Sequence, residues 1–100
     1  MDVIINKQNS TTTVQLIGRL DTAAAIDVAK ELEPLQNDAS GTIVLDCKEM
    51  SYISSSGLRI FLSLRKASAT KGGRVIVKDI NNDIRQVFVM TGFLNLFEIQ

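Results

Sequence analysis

The sequence predicts a single α/β domain with a mixed β-sheet, an N-terminal antiparallel hairpin and helices mainly on one face of the sheet. Short apolar segments with strand spacing alternate with longer segments in which apolar residues recur every three or four positions. Strands separated by single helices are normally joined by right-handed crossovers and become parallel. The predicted order of elements is therefore about ββαβαβαβ, in one domain spanning residues 1–100.

Length and composition are those of an ordinary globular domain, with 45% apolar and 22% charged residues. Eleven basic residues balance eleven acidic ones, and no basic stripe is present, so direct binding to nucleic acid is not expected. The longest apolar runs are far shorter than the roughly 20 residues of a membrane span, and no leader precedes the first strand. We therefore expect a cytoplasmic protein that does not insert into membranes.

The residue types that build common catalytic and metal sites are scarce. The chain has no His, which removes the commonest general base, the usual metal ligand and the residue that most often activates a serine nucleophile. Its one cysteine, Cys47, can form no internal disulfide and is interpreted as a small buried side chain at a strand end. We expect no enzymatic activity, no cofactor and no metal site.

The first part of the chain predicts a hairpin followed by a helix. "VII" and "TVQLIG" have strand character, with a turn between Asn6 and Ser10. Asp21 or Thr22 can cap the helix, and Pro34 is expected to end or bend it near residue 33. The predicted apolar face of this helix contains Ala25, Val28, Ala29, Leu32 and Gln36.

The middle of the chain predicts a central strand, a loop and a second helix. "SGTIVLDC" is a turn followed by a continuous β-branched run, as expected of a strand covered on both sides, and "KEMSYISS" is predicted to be a loop. The second helix ends at "KGG". Its predicted apolar face contains Leu58, Phe61, Leu62 and Ala69, with Arg59, Ser63 and Lys66 opposite.

The last part predicts one more strand, "RVIVKD", and a helix, "NNDIRQVFVMT", which Asn or Asp caps and which ends before Gly92. The chain closes with a final apolar stretch, "FLNLFEI". No repeat, low-complexity segment or interdomain linker interrupts this series.

The segment "SYISSSGLRIFL" concentrates three hydroxyls and a glycine at the start of the second helix. The simplest interpretation is a serine cap followed by a tight glycine, with Ser56 expected to be the capping residue. A hydrolase nucleophile elbow would place its serine at Ser55, but Ile53 occupies the first glycine position and there is no His. The segment lacks the G-x-x-x-x-G-K-[ST] pattern of a phosphate-binding loop, so that type of site is excluded. A phosphoacceptor serine is a further possibility, because a helix start favours negative charge.

Five segments together resemble the STAS domain of bacterial anti-sigma factor antagonists: "GRLDT", "TIVLD", "YISSSGLRIFL", "GGRVIVKD" and "VFVMTGFLNLFEI". Their order and spacing match over essentially the whole chain. The resemblance implies a STAS-like mixed sheet. It also implies a non-enzymatic protein that acts by binding other proteins.

In that family an anti-sigma factor that is also a serine kinase phosphorylates a serine at the start of the second helix, in the pattern Asp-Ser-Ser/Thr-Gly. The resemblance implies that Ser55 is the phosphoacceptor, Ser56 the following hydroxyl and Gly57 the glycine. Ser54 stands where the family often has Asp. Ser54, Ser56 and Gly57 are therefore expected to contribute to partner binding.

Two acidic residues also match positions near this loop in the family. Asp21 follows "GRL" and Asp46 closes the central strand. Asp21 is expected to contribute to partner binding, while a helix cap and a strand-end turn are the structural alternatives for the two carboxylates.

The expected partners are an anti-sigma factor with serine kinase activity and a serine phosphatase that reverses the modification. The unmodified protein would bind the kinase and free a sigma factor. One alternative is a STAS subunit of a lipid-transport complex or of another partner-switching pathway. Another is a phosphoreceiver, for which Asp46 would be the acceptor, but "VIINKQ" supplies no acidic pair.

Overall fold

The computed structural model describes residues 1–100 as a six-stranded sheet with three α-helices. None of the helices is long and apolar enough to cross a lipid bilayer. In chain order the elements are β1 (Asp2–Gln8), β2 (Thr11–Leu20), α1 (Thr22–Asn37), β3 (Thr42–Asp46), β4 (Met50–Ile53), α2 (Ser55–Lys71), β5 (Arg74–Lys78), α3 (Asn82–Thr91), a 3₁₀ turn (Phe93–Leu96) and β6 (Glu98–Ile99).

The sheet has the strand order β1-β2-β3-β5-β6, with β4 paired to the far end of β2. β1 and β2 form the predicted antiparallel hairpin, in which Gln8 lies opposite Thr11, and every other strand pair is parallel. β3 pairs with the first half of β2, up to Gln15, and β4 pairs with its last residues, from Gly18 to Leu20. The predicted fold class is confirmed.

The core lies on the helix side of the sheet. Side chains alternate along each strand, so one face of β2, β3 and β5 carries the buried residues Val14, Leu16, Ile43, Leu45, Val75 and Val77. The opposite face of β3 is only partly buried, which corrects the expectation of a strand covered on both sides. Ile76 is the exception on that second face, with 7% of its surface exposed.

Three phenylalanines join the second half of the chain to this core. Phe61 on α2, Phe88 on α3 and Phe97 before β6 have ring centroids 5.9 to 6.3 Å apart, in tilted or edge-to-face arrangements. The final apolar stretch therefore packs back onto α2 and α3.

The segment predicted as a loop after β3 contains the additional strand β4. Met50 and Ile53 are buried in the core, while Ser51 and Tyr52 between them are exposed. Four residues are too few to show a strand period in sequence. Pairing with the end of β2 selects the extended conformation here.

Pro34 does not end α1, which continues to Asn37. A proline inside a helix removes one backbone hydrogen bond. Leu32 before it is fully buried, and Leu35 after it packs against the core, so apolar contacts hold the last turn in place.

Both long helices are rotated slightly from the predicted faces. In α1, Ala29 is exposed, whereas in α2 Ala69 is exposed and Leu62 is only partly buried. α2 packs against both α1 and β5, so it buries a broad stripe rather than a single row. The buried residues of α2 are Gly57, Leu58, Ile60, Phe61, Leu64 and Ser68.

Candidate functional site

The starts of α1 and α2 lie side by side because the strands that precede them are paired. Leu20 and Ile53 are partners in the parallel β2–β4 ladder, and the backbone N–H of Ser54 donates to the carbonyl oxygen of Leu20 at 2.9 Å. The next residues, Asp21 and Ser54, each precede a helix. Two helix N-termini are thereby brought to one edge of the sheet.

Each helix start is capped by a side chain. The Asp21 carboxylate accepts a hydrogen bond from the N–H of Ala24 at 2.8 Å, which confirms one of the two predicted caps of α1. The Ser54 hydroxyl accepts one from the N–H of Gly57 at 3.2 Å. The expectation that Ser56 caps α2 is wrong, because Ser54 is the residue with the extended backbone, φ −91° and ψ 171°, that a cap requires.

The three serines differ sharply in environment. Ser54 has only 7% of its surface exposed and its hydroxyl is engaged as the cap. Ser55 is the first residue of α2 and is exposed, while Ser56 is partly buried. Ser55 therefore presents the most accessible hydroxyl of the three.

Gly57 allows α2 to approach the ends of β2 and β4. A Cβ at this position would lie 2.7 Å from Cγ of Leu20, closer than packed carbon atoms come, and 3.0 Å from Cγ1 of Ile53, which is an unusually tight contact. Its φ is not positive, so no left-handed conformation is needed here. Gly57 is buried, and its predicted contribution to partner binding would act through the position of the helix backbone.

Asp46 forms no side-chain hydrogen bond with the three serines. Its carboxylate accepts a hydrogen bond from the N–H of Lys48 at 3.1 Å, which is the strand-end turn considered from the sequence. It also lines a separate cavity of about 310 Å³, to which no serine of the triplet contributes. The other lining residues of that cavity are Gln15, Leu16, Ile17, Lys48, Glu49, Lys78 and Asp79.

The first turn of α2, which begins at Ser55, contains no ionisable side chain. The first turn of α2 contains no acidic residue, so the positive end of the helix dipole has no carboxylate of its own turn. No group of three or more His, Cys, Asp or Glu side chains could hold a metal ion.

Cys47 is a buried residue outside the serine segment. It is fully buried, its thiol donates a weak hydrogen bond to the carbonyl of Leu45 at 3.5 Å, and burial raises the pKa of the thiol to about 12. Since the thiolate is the reactive form, Cys47 is inert at neutral pH, in agreement with its structural interpretation.

The sequence did not identify two exposed residues beside the serine segment. Arg19 and Tyr52 are partners in the β2–β4 ladder, and the Arg19 guanidinium carbon lies 4.4 Å from the centroid of the Tyr52 ring. Tyr52 is 40% exposed. Recognising "SYI" as a strand would have placed Tyr52 outward, opposite the buried Ile53. Arg19, Tyr52 and Ser55 are called the helix-start surface below.

The comparisons with known proteins agree with this architecture. A family model described as the STAS domain matches residues 2–100. An anti-sigma F factor antagonist of Paenibacillus polymyxa is 31% identical over 87 residues, which cover 86% of this chain and 74% of the relative.

Two solved structures of SpoIIAA show the same fold. The anti-sigma factor antagonist SpoIIAA in its unphosphorylated form has a TM-score of 0.78 and 19% identity, covering 99% of this chain and 87% of that one. The Bacillus cell fate determinant SpoIIAA in the phosphorylated form has a TM-score of 0.77 and 20% identity, covering 99% and 91%. Since the family model spans nearly the whole sequence, the chain belongs to the STAS domain family.

Proposed function

We propose that this protein is an anti-sigma factor antagonist controlled by phosphorylation of Ser55. With Ser55 unmodified it binds an anti-sigma factor that has serine kinase activity, and a sigma factor is released. Phosphorylation of Ser55 ends that binding. The observation that carries the proposal is the exposed hydroxyl of Ser55 at the first position of α2.

Accessibility favours Ser55 over its neighbours as the acceptor. A kinase must bring the hydroxyl into its own active site, and the Ser54 hydroxyl is buried and occupied by the N–H of Gly57. Ser56 is partly buried. A phosphate on Ser55 also lies at a helix N-terminus, where an anion is favourable by about 0.3 to 1 kcal/mol.

Loss of binding then arises at the surface rather than by unfolding. A phosphate adds roughly −1.5 to −2 charge and considerable bulk to the helix-start surface. The cap of α2 is supplied by Ser54, which the modification leaves unchanged. A partner that fits closely around the unmodified hydroxyl would meet both the added charge and the added volume.

In this account the protein is a substrate and a ligand rather than an enzyme. ATP is bound by the kinase, and a serine phosphatase restores the unmodified form. Two relatives support the proposed role: one is named an anti-sigma F factor antagonist, and SpoIIAA has been solved in both unphosphorylated and phosphorylated forms.

The acceptor is tested with purified anti-sigma factor kinase and ATP. Wild type, Ser55→Ala and the matched control Ser56→Ala are incubated in parallel, and the modification is located by peptide mass spectrometry. We expect wild type and Ser56→Ala to be phosphorylated at residue 55, and Ser55→Ala to remain unmodified while melting at the wild-type temperature. Phosphorylation of Ser55→Ala to the wild-type extent would contradict the proposal.

A further inference from the structure

Arg59 lies one helical turn after Ser55 on the exposed side of α2. Both residues are exposed, whereas Leu58 and Ile60 on either side of Arg59 are buried. Arg59 takes part in none of the ion pairs or side-chain hydrogen bonds of the structure. Its guanidinium is therefore available.

Several other cations of the molecule already have partners. The Nε of Arg65 donates to the carbonyl of Leu96, and Nζ of Lys71 donates to the carbonyl of Gln36 at 3.1 Å. Arg74 forms a two-pronged pair with Glu98, and Arg19 stacks on Tyr52. Arg59 is the arginine of α2 that has no partner.

The spacing between Ser55 and Arg59 suits an ion pair along the helix. Residues four apart have Cβ atoms about 5 to 6 Å apart, and an anion is best placed on the N-terminal side of the cation. Helical side chains lean toward the N-terminus, so Arg59 extends over the turn that begins at Ser55.

The free backbone N–H groups at the helix start are too few to satisfy a phosphate on Ser55. The N–H of Gly57 is used by the Ser54 hydroxyl, and the N–H of Leu58 donates to the Ser54 carbonyl at 3.0 Å. A phosphate on Ser55 has three acceptor oxygens, more than the remaining first-turn N–H groups of Ser55 and Ser56 can satisfy.

We infer that Arg59 holds the phosphate carried by Ser55, so that phosphorylation both adds negative charge and withdraws a cation from the surface beside it. The planar guanidinium can give two parallel hydrogen bonds to phosphate oxygens. The inference rests on the proposed function, because it concerns the modified state of the same site. It makes Arg59 a positioning residue for the phosphoserine.

The test uses full-length protein with phosphoserine placed at position 55 during translation, which requires no kinase. Wild type, Arg59→Gln and the control Lys66→Gln are each prepared with and without the phosphate. Lys66 is an exposed cation of α2 eleven residues from Ser55, about 16 Å along the helix and beyond the screening length of roughly 8 Å at physiological salt.

Two measurements on these samples report the pair. In NMR spectra the Nε–H signal of Arg59 is expected to move on phosphorylation, while that of Arg85 on α3 stays in place. In thermal melts we compare the melting temperature of each variant with and without the phosphate. The phosphate is expected to change the melting temperature by an amount that is about 1 to 3 °C more positive in wild type and Lys66→Gln than in Arg59→Gln.

The inference would be overturned if the Nε–H signal of Arg59 did not move on phosphorylation and the phosphate changed the melting temperature of Arg59→Gln as much as that of wild type. That result would leave the identity of the acceptor untouched, because the phosphate was not added by the kinase. Conversely, if the kinase does not phosphorylate Ser55, the proposed function is wrong. That result would hold even if Arg59 pairs with a phosphoserine introduced at position 55 during translation.

Discussion

At the residue scale, Gly57 shows how a single missing side chain shapes the site. The sequence predicted that this glycine allows a tight passage into the helix, and the structure identifies the neighbours as Leu20 and Ile53. These are the residues whose pairing brings the two helix starts together. Close packing at Gly57 and the arrangement of the helix-start surface therefore have the same origin.

Gly57→Ala is expected to destabilise the protein although alanine is the better helix former. The propensity gain is about 1 kcal/mol, whereas forcing a methyl group into this contact costs about 1 to 3 kcal/mol. Denaturant unfolding should show a net loss for Gly57→Ala and a change within about 0.5 kcal/mol for Ser63→Ala, an exposed position of the same helix. A Gly57→Ala protein more stable than wild type would disprove the packing role.

The sequence does not show which of the three serines caps α2. They are chemically identical, so neither composition nor spacing tells which one caps the helix. The cap falls on the residue that is still extended when the strand ends, and here the strand is β4, which the sequence did not reveal. The family resemblance predicts Ser55 as the acceptor, and the structure adds that Ser55 is exposed.

At the scale of elements, β4 decides how α2 begins. Its pairing with β2 aligns Ile53 with Leu20 and holds Ser54 in the extended conformation of a cap. The longer elements were predictable because each carries a helical or strand period over many residues. The short strand was not, since its conformation depends on a partner distant in sequence.

The cap assignment predicts unequal effects of two neighbouring substitutions. Ser54→Ala removes the hydroxyl that accepts from the N–H of Gly57, and the expected loss in the free energy of unfolding is about 1 kcal/mol. Ser56→Ala, which removes no cap, should change it by less than about 0.5 kcal/mol. Urea unfolding of both variants measures the difference. If Ser56→Ala lost more free energy of unfolding than Ser54→Ala, Ser56 rather than Ser54 would be the capping residue.

At the scale of the whole molecule, the fold class follows from rules that a sequence makes visible. Helices between successive strands require parallel crossovers, and the alternation of apolar residues places the core on one face of the sheet. The helix-start surface follows no such rule, because β2 and β4, which precede α1 and α2, are brought together only by long-range strand pairing. The contact between Arg19 and Tyr52 was therefore not predictable from the sequence.

We propose that a phosphate on Ser55 controls binding to an anti-sigma factor without unfolding the protein. Isothermal titration of one purified anti-sigma factor with unmodified protein and with the Ser55 phosphoprotein measures this directly. The phosphoprotein is expected to bind at least about ten-fold more weakly, equivalent to about 1.4 kcal/mol, while its melting temperature is no lower. Equal affinities for the two forms, or weak binding accompanied by unfolding of the phosphoprotein, would contradict it.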